Sequence, residues 1–345
     1  MNGSTKISLI LFISLFSYTS LAQENKYTKR NKSAPSIQYT TEKCYSRCIY
    51  VKDSMVYTAN SNGALYATNL RTKESINLLS HRKYEELRDI FAIPRSIYAV
   101  QSGSNGLIVR TNGQQFLTDY EARYELWRGV FLNSVDIRDS VGFMMGDPKS
   151  GIFNLFKSTD AGTTWDHCIG SIGAFEGEKG FAASGTTVQV LNDSTFVFIS
   201  GGKKSRFFRS NDGGMTWKYT SLPYLTGESS GAFSICMINE QEGVIVGGDY
   251  KNPDLCMNTC FYTNDGGEFW INAKVQTRGY RSCVIFKNGI FYACGPNGID
   301  YSIDKGEHWK PFMNGTYLAM CTDETKLYAT IQNGSFQVFE LIDKK

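Results

Sequence analysis

Proline and histidine are scarce in this chain, with 7 Pro and 3 His among 345 residues. The histidines, His81, His167 and His308, are scattered, and no cysteine pair has a second pair nearby at zinc-finger spacing, so a structural zinc site is not expected. Charge of one sign is lacking too. A formal net charge of +3 gives no electrostatic footprint for nucleic acid, and the basic stretch Lys26 to Lys32 reads as a solvated leader. No Gly-x-Gly-x-x-Gly follows a strand, and no flavin motif or haem Cys-x-x-Cys-His is present. No cofactor and no metal are therefore expected. What is abundant is aromatic residues, at 14%, and glycine, at 33 residues, a mix that favours strands joined by tight turns.

Only the first residues, "MNGSTKISLILFISLFSYTSLAQ", are strongly apolar. One lysine, a short apolar run and Ser20-Leu21-Ala22 make a secretory signal cleaved after Ala22. The run holds Ser14, Ser17, Tyr18, Thr19 and Ser20 and is short for a membrane span. No cysteine follows the cleavage point, which argues against a lipid anchor. The expected organisation is a signal at 1–22, a leader at 23–45 and a single domain at 46–345, exported to the periplasm or the cell exterior, with no stable membrane insertion. Export permits disulfides, and nine cysteines leave at least one unpaired. Cys256 with Cys260 is the first expected pair and Cys44 with Cys48 the second, while Cys236, Cys283 and Cys294 sit in apolar runs as small buried hydrophobes.

One eight-residue pattern is written four times: "STDAGTTW" at 158–165, "SNDGGMTW" at 210–217, "TNDGGEFW" at 263–270 and "SIDKGEHW" at 302–309. Its aspartates, Asp160, Asp212, Asp265 and Asp304, recur at roughly the 40 to 50 residue period of a propeller blade. A β-rich run precedes each box, and a short strand opening with tryptophan follows it, so each box is a hairpin turn. Its aspartate accepts backbone N–H bonds within the loop, Gly162, Gly214, Gly267 and Gly306 take the positive φ, and Trp165, Trp217, Trp270 and Trp309 pack on a neighbouring unit. One unit cannot bury both faces alone, so repetition is the physical solution.

The pattern Ser/Thr-x-Asp-x-Gly-x-x-Trp resembles the Asp-box, or BNR repeat, of sialidase-like propellers. That resemblance implies an all-β propeller with the boxes on its outer rim and their aspartates structural. Stretches such as "LRDIFAI", "GFMMGDP", "GVIVGGDYKNPD" and "CGPNGIDYSIDKGEHW" are similar to a bacterial exported family related to photosystem II stability and assembly factors, often labelled oxidoreductase-like. Strand groups fall at 46–75, 88–123, 127–169, 184–223, 231–275, 280–313 and 316–342, which predicts seven blades. A strand from the N-terminal side is expected to complete the last blade.

The first strand of each blade lines the channel, and Arg88, Arg128 and Arg281 are expected to open three such strands. Converging guanidinium groups would hold an anion. Asp147, Asp249 and Tyr250 are placed beside them at strand ends, and Ser184 adds a hydroxyl. The competing reading is that these Arg and Asp pair with each other across blades and staple the ring. A sialidase would carry Phe/Tyr-Arg-Ile-Pro, whereas residues 91–94 read Phe-Ala-Ile-Pro. "GESSG" at 227–231 matches a nucleophile elbow around Ser229 but precedes a propeller strand rather than a helix. Two functions remain: a non-catalytic exported propeller that binds a partner protein or an anionic ligand at its channel face, in the manner the resemblance to assembly factors implies, and a hydrolase or lyase acting on an acidic glycan through Asp147, Asp249 or Tyr250.

Overall fold

The computed structural model describes residues 36–80, 83–93, 96–112 and 124–342. The expected signal, most of the leader, His81, Pro94 and Gly113 lie outside the described residues. Seven antiparallel sheets form a ring, a seven-bladed β-propeller. Blade 1 spans residues 46–77, blade 2 87–128, blade 3 132–167, blade 4 188–221, blade 5 230–272 and blade 6 283–313. Blade 7 contains Met320–Thr322, Lys326–Ile331 and Ser335–Glu340, and its outermost strand is Ser36–Gln38 from the other end of the chain. The expected strand exchange is present. It also corrects the boundary at residue 46, because Ser36–Gln38 and the buried Tyr39 and Cys44 belong to the ring.

Each box joins the third and fourth strands of its blade, as in Arg206–Ser210 and Lys218–Ser221 around residues 211–217. Within it the box serine or threonine organises the turn: Ser210 donates to Asp212 at 2.8 Å and accepts the Gly214 amide at 2.8 Å. The Thr216 hydroxyl and amide, with Ser210, hold the Asp212 carboxyl down to about 2. The box glycine has no room for a side chain. At Gly267 (φ +90°) a Cβ would stand 2.2 Å from the Phe207 ring of blade 4. The following tryptophan then packs against the preceding blade, Trp165 near Phe91, Trp217 near Phe143 and Trp270 near Phe207, while Trp309 joins Val244 and Tyr262.

Between blades the core is aromatic and aliphatic. Phe143 and Phe153 of blade 3 meet Phe196, Phe198 and Phe208 of blade 4. At the hub, inner strands are tied blade to blade by side chains that accept the next strand's amides. Asp89 accepts from Val135 at 2.7 Å, Asp136 from Val190 at 2.7 Å, Gln189 from Met237 at 2.7 Å and Ser234 from Val284 at 2.8 Å. Such bonds satisfy buried amides that the twist between blades leaves without a ladder partner.

The expected disulfides are not formed. Cys260 is enclosed in a strand of blade 5 while Cys256 is exposed in the preceding loop, and Cys44 and Cys48 point to separate partners, Asn60 and Asp89. Cys283 and Cys294 are fully buried, and Cys236 is partly buried.

Candidate functional site

In every blade the start of the inner strand lies beside the end of the second strand, as the pairings Ser46 with Asn60, Leu87 with Gln101 and Ser230 with Asp249 show. These ends share one face, the channel mouth, and the boxes lie at the opposite ends of their blades. Four inner strands break register near this mouth, between Ser46 and Cys48, Leu87 and Asp89, Leu132 and Ser134, and Ala232 and Ser234. The skipped residues are Arg47, Arg88, Asn133 and Phe233. A bulge re-aims a side chain that regular alternation would point elsewhere, and here it brings these four into one constellation.

Contacts run round the mouth. Arg88 donates to Glu86 at 2.6 Å and to the Ala182 carbonyl at 2.8 Å, and lies over the Phe131 ring. Arg47 Nε stands 3.6 Å from the other Glu86 oxygen, with its guanidinium over the Tyr45 ring. Across the ring Phe181 stacks on Phe233 with centroids 4.0 Å apart, and Tyr280 meets Phe233 edge to face at 4.7 Å. Tyr250 stands nearly perpendicular to both phenylalanines and is 47% exposed. Burial pushes the Tyr280 hydroxyl up, and the charge of Arg47 acts against it, which links the two halves of the mouth. Blades 1 to 3 thus supply charge and blades 4 to 6 supply rings.

The residues expected at the site divide accordingly. Arg88 and Tyr250 are at the mouth. Arg281 is not available: it is 0% exposed and donates to Asp300 and to the Tyr280 carbonyl, with Arg278 sharing the same carboxylate at 2.6 Å. Arg281 is thus neutralised by an acid of its own blade and does not pair across blades as the stapling alternative has it. Arg128 ends the outermost strand of blade 2 instead of opening blade 3, and it is exposed on the rim. The run Tyr124–Arg128 completes blade 2, which the sequence grouping closes at residue 123. Ser184 is buried, donating to the Ser282 carbonyl at 2.7 Å.

Asp147 accepts from Asn133 at 2.8 Å and from the Gly180 amide at 3.0 Å. Burial pushes its carboxyl up, against those bonds and the charges of Lys179 and Arg88. Asp249 closes its own turn, accepting from the Lys251 amide at 2.9 Å and Asn252 at 2.7 Å. Burial pushes its carboxyl up as well, but bonds from Ser229, Asn252 and the Lys251 amide outweigh it and leave it below the usual range. Ser229 is therefore Asp249's partner, and His308 is occupied by Asp304 at 2.8 Å in the fourth box. Phe91 stacks on Tyr98 inside blade 2, so the Phe-Ala-Ile segment is core.

Sequence reasoning missed Arg47, although "YSRCIY" places it at the second position of its strand just as "ELRDIF" places Arg88. It also missed Glu86 and Lys179. One trio of possible metal ligands occurs among the described residues, Asp304, Glu307 and His308, with ligand atoms within 4.8 Å. Those atoms already serve the box: Asp304 holds Ser302 and His308, and Glu307 pairs with Lys274. A concavity of about 310 Å³ lies on blade 3 between Lys149, Ile152, Phe153, His167 and Cys168.

The chain matches no family model and no curated protein. Solved structures do resemble it. The WD40 β-propeller domain of Doa1 superposes with a TM-score of 0.63 at 10% identity, over 89% of this chain and 97% of that one. The computationally designed protein Ika8 superposes with a TM-score of 0.56, also at 10% identity, over 90% of this chain and 100% of that one. At such identity the likeness concerns the fold alone.

Proposed function

We propose that the protein is an exported binding module whose channel mouth engages the anionic group of a ligand or partner without turning it over. The observation that carries this reading is the composition of the mouth. It presents arginines from bulged strands beside an aromatic wall, while Asp147 and Asp249 are committed to structural hydrogen bonds and Glu86 is paired with Arg88. An anchor of Arg and aromatic residues is what binding surfaces use, and a general acid needs a carboxyl free to reach substrate. The resemblance of the boxes to the BNR repeat and of longer stretches to assembly factors supports a scaffold role. Export follows from the signal-like first 22 residues.

A second reading, hydrolysis or cleavage of an acidic glycan, has one observation in its favour: Asp147 is pushed up and Asp249 is held down, as in acid–base pairs. Incubation with acidic polysaccharides and acidic peptides, followed by mass spectrometry of the products, separates the two. Unchanged substrates are the expected result. Turnover abolished by Asp147→Asn or Asp249→Asn would replace the binding reading with the enzymatic one.

A further inference from the structure

We infer that the mouth is a site for a carboxylated sugar, with the acid group seated on Arg47. This rests on the binding reading above and adds the chemistry of the ligand. Among the mouth arginines, Arg47 is the least committed: its ion pair with Glu86 is 3.6 Å long, whereas Arg281 is enclosed and Arg88 is bonded to Glu86 and Ala182. The Arg47 side chain is 29% exposed, its contact with Glu86 is longer than a hydrogen bond, and it donates no hydrogen bond to any described residue. A guanidinium that donates no hydrogen bond to a described residue matches the two oxygens of a carboxylate.

Arg47, Arg88 and Lys179 stand in one corner with Glu86 and Asp147, while Asp249 closes its own turn beside Tyr250. The same corner holds further unmet polar atoms: Arg88 Nε, Glu86 Oε1 and Asn133 Oδ1 are buried with no hydrogen-bond partner. Arg47 Nε and Glu86 Oε1 face each other at 3.6 Å, too far to hydrogen-bond, and Arg88 Nε and Asn133 Oδ1 meet no partner among the described residues. Buried polar atoms left in this state are rare and costly, and four of them on three adjacent bulged strands and the residue beside one mark a place built for something else. Two of the four are acceptors. A simple carboxylate cannot serve them, whereas a ligand carrying hydroxyl groups beside its acid can. Arg47, held by a 3.6 Å ion pair and by no hydrogen bond among the described residues, can move to admit such a group. Opposite stands the half-exposed Tyr250 ring on its phenylalanine pair, an apolar surface for the C–H face of a sugar ring. A uronic acid supplies the carboxylate, hydroxyls and ring together.

Calorimetric titration with tri-galacturonate at low salt tests this, beside a neutral galactose trimer and a glutamate tripeptide. Binding of tri-galacturonate alone is expected. Arg47→Gln should weaken it at least tenfold and Tyr250→Ala several-fold, with melting temperatures unchanged. Arg47→Lys, which keeps charge but loses the planar fork, should also weaken it and serves if the glutamine variant folds poorly. Equal binding of the glutamate peptide with the same Arg47 dependence would overturn the sugar assignment and leave the anion-binding reading intact. Binding indifferent to Arg47 would overturn the site, and no binding of any probe would sink both.

Discussion

Asp89 ties three blades together through one carboxylate: it accepts the Val135 amide of blade 3 at 2.7 Å, the Ile90 amide of its own strand at 2.8 Å and the Cys48 thiol of blade 1 at 3.2 Å. Burial raises its pKa from 3.8 to about 8, against the pull of those hydrogen bonds. The folded protein therefore keeps this proton up to about pH 8, while the unfolded chain releases it above pH 3.8. Between those values the folded state binds more protons, so the contribution is full at low pH and is lost as pH rises through 8. Asp89→Asn keeps an acceptor for the Val135 amide and removes the titration. Melting temperatures measured from pH 5 to 8 should fall less steeply in the variant than in the natural protein. Asp136, also pushed up by burial, accounts for part of the slope that remains. Parallel curves would mean that Asp89 titrates as an ordinary carboxyl.

The four boxes share a turn but differ in how the tryptophan is used. Trp165 and Trp309 donate their indole N–H to the carbonyls of Gly162 and Gly306, each at 3.1 Å. Trp217 and Trp270 pack on the preceding blade with that atom buried and unbonded. Replacement by phenylalanine removes similar ring area everywhere, so the hydrogen bond decides the difference. Trp165→Phe and Trp309→Phe should each cost about 1 kcal/mol more than Trp217→Phe and Trp270→Phe in urea unfolding, since a net bond is lost only in the first pair. Equal costs in all four would show that the indole N–H contributes nothing. The boxes were legible because a tight turn demands a fixed serine, aspartate and glycine in sequence order. The bulges were not, because skipping one residue in a strand leaves no compositional mark, and only the shared position of Arg47 and Arg88 hints at it. Arg128 was misread for a related reason: the Trp-Arg that ends one blade has the same alternation as the start of the next, and only pairing with Asn105 assigns it. Arg281 could not be told from a ligand-binding arginine without Asp300, which lies 19 residues away in another strand of its blade.

A ring differs from a solenoid in that its last unit must recognise its first, and here that junction depends on three residues. Ser36–Gln38 pairs with Ser335 to Gln337, completing blade 7, and Ile37 and Tyr39 enter the core formed with Tyr66, Tyr328 and Phe336. Thr330 adds a hydrogen bond of 3.0 Å to the Ser46 carbonyl of blade 1, so closure joins adjacent blades at the hub as well as at the rim. Without its outer strand, blade 7 would present the unpaired edge of Ser335–Glu340, the kind of edge that invites pairing with another chain. Burial of Ile37 and Tyr39 at about 2 kcal/mol each, with ladder bonds near 1 kcal/mol each, puts the loss on the order of 5 kcal/mol. A chain beginning at residue 45 should therefore melt roughly 10 °C below one beginning at residue 35 and should self-associate on size-exclusion chromatography. Addition of a peptide spanning residues 35–44 should restore both properties, because the edge it would occupy is preformed by Lys326–Ile331 and Ser335–Glu340. Equal melting of the two chains would place the stability of the ring in the blade interfaces alone and make closure incidental to it.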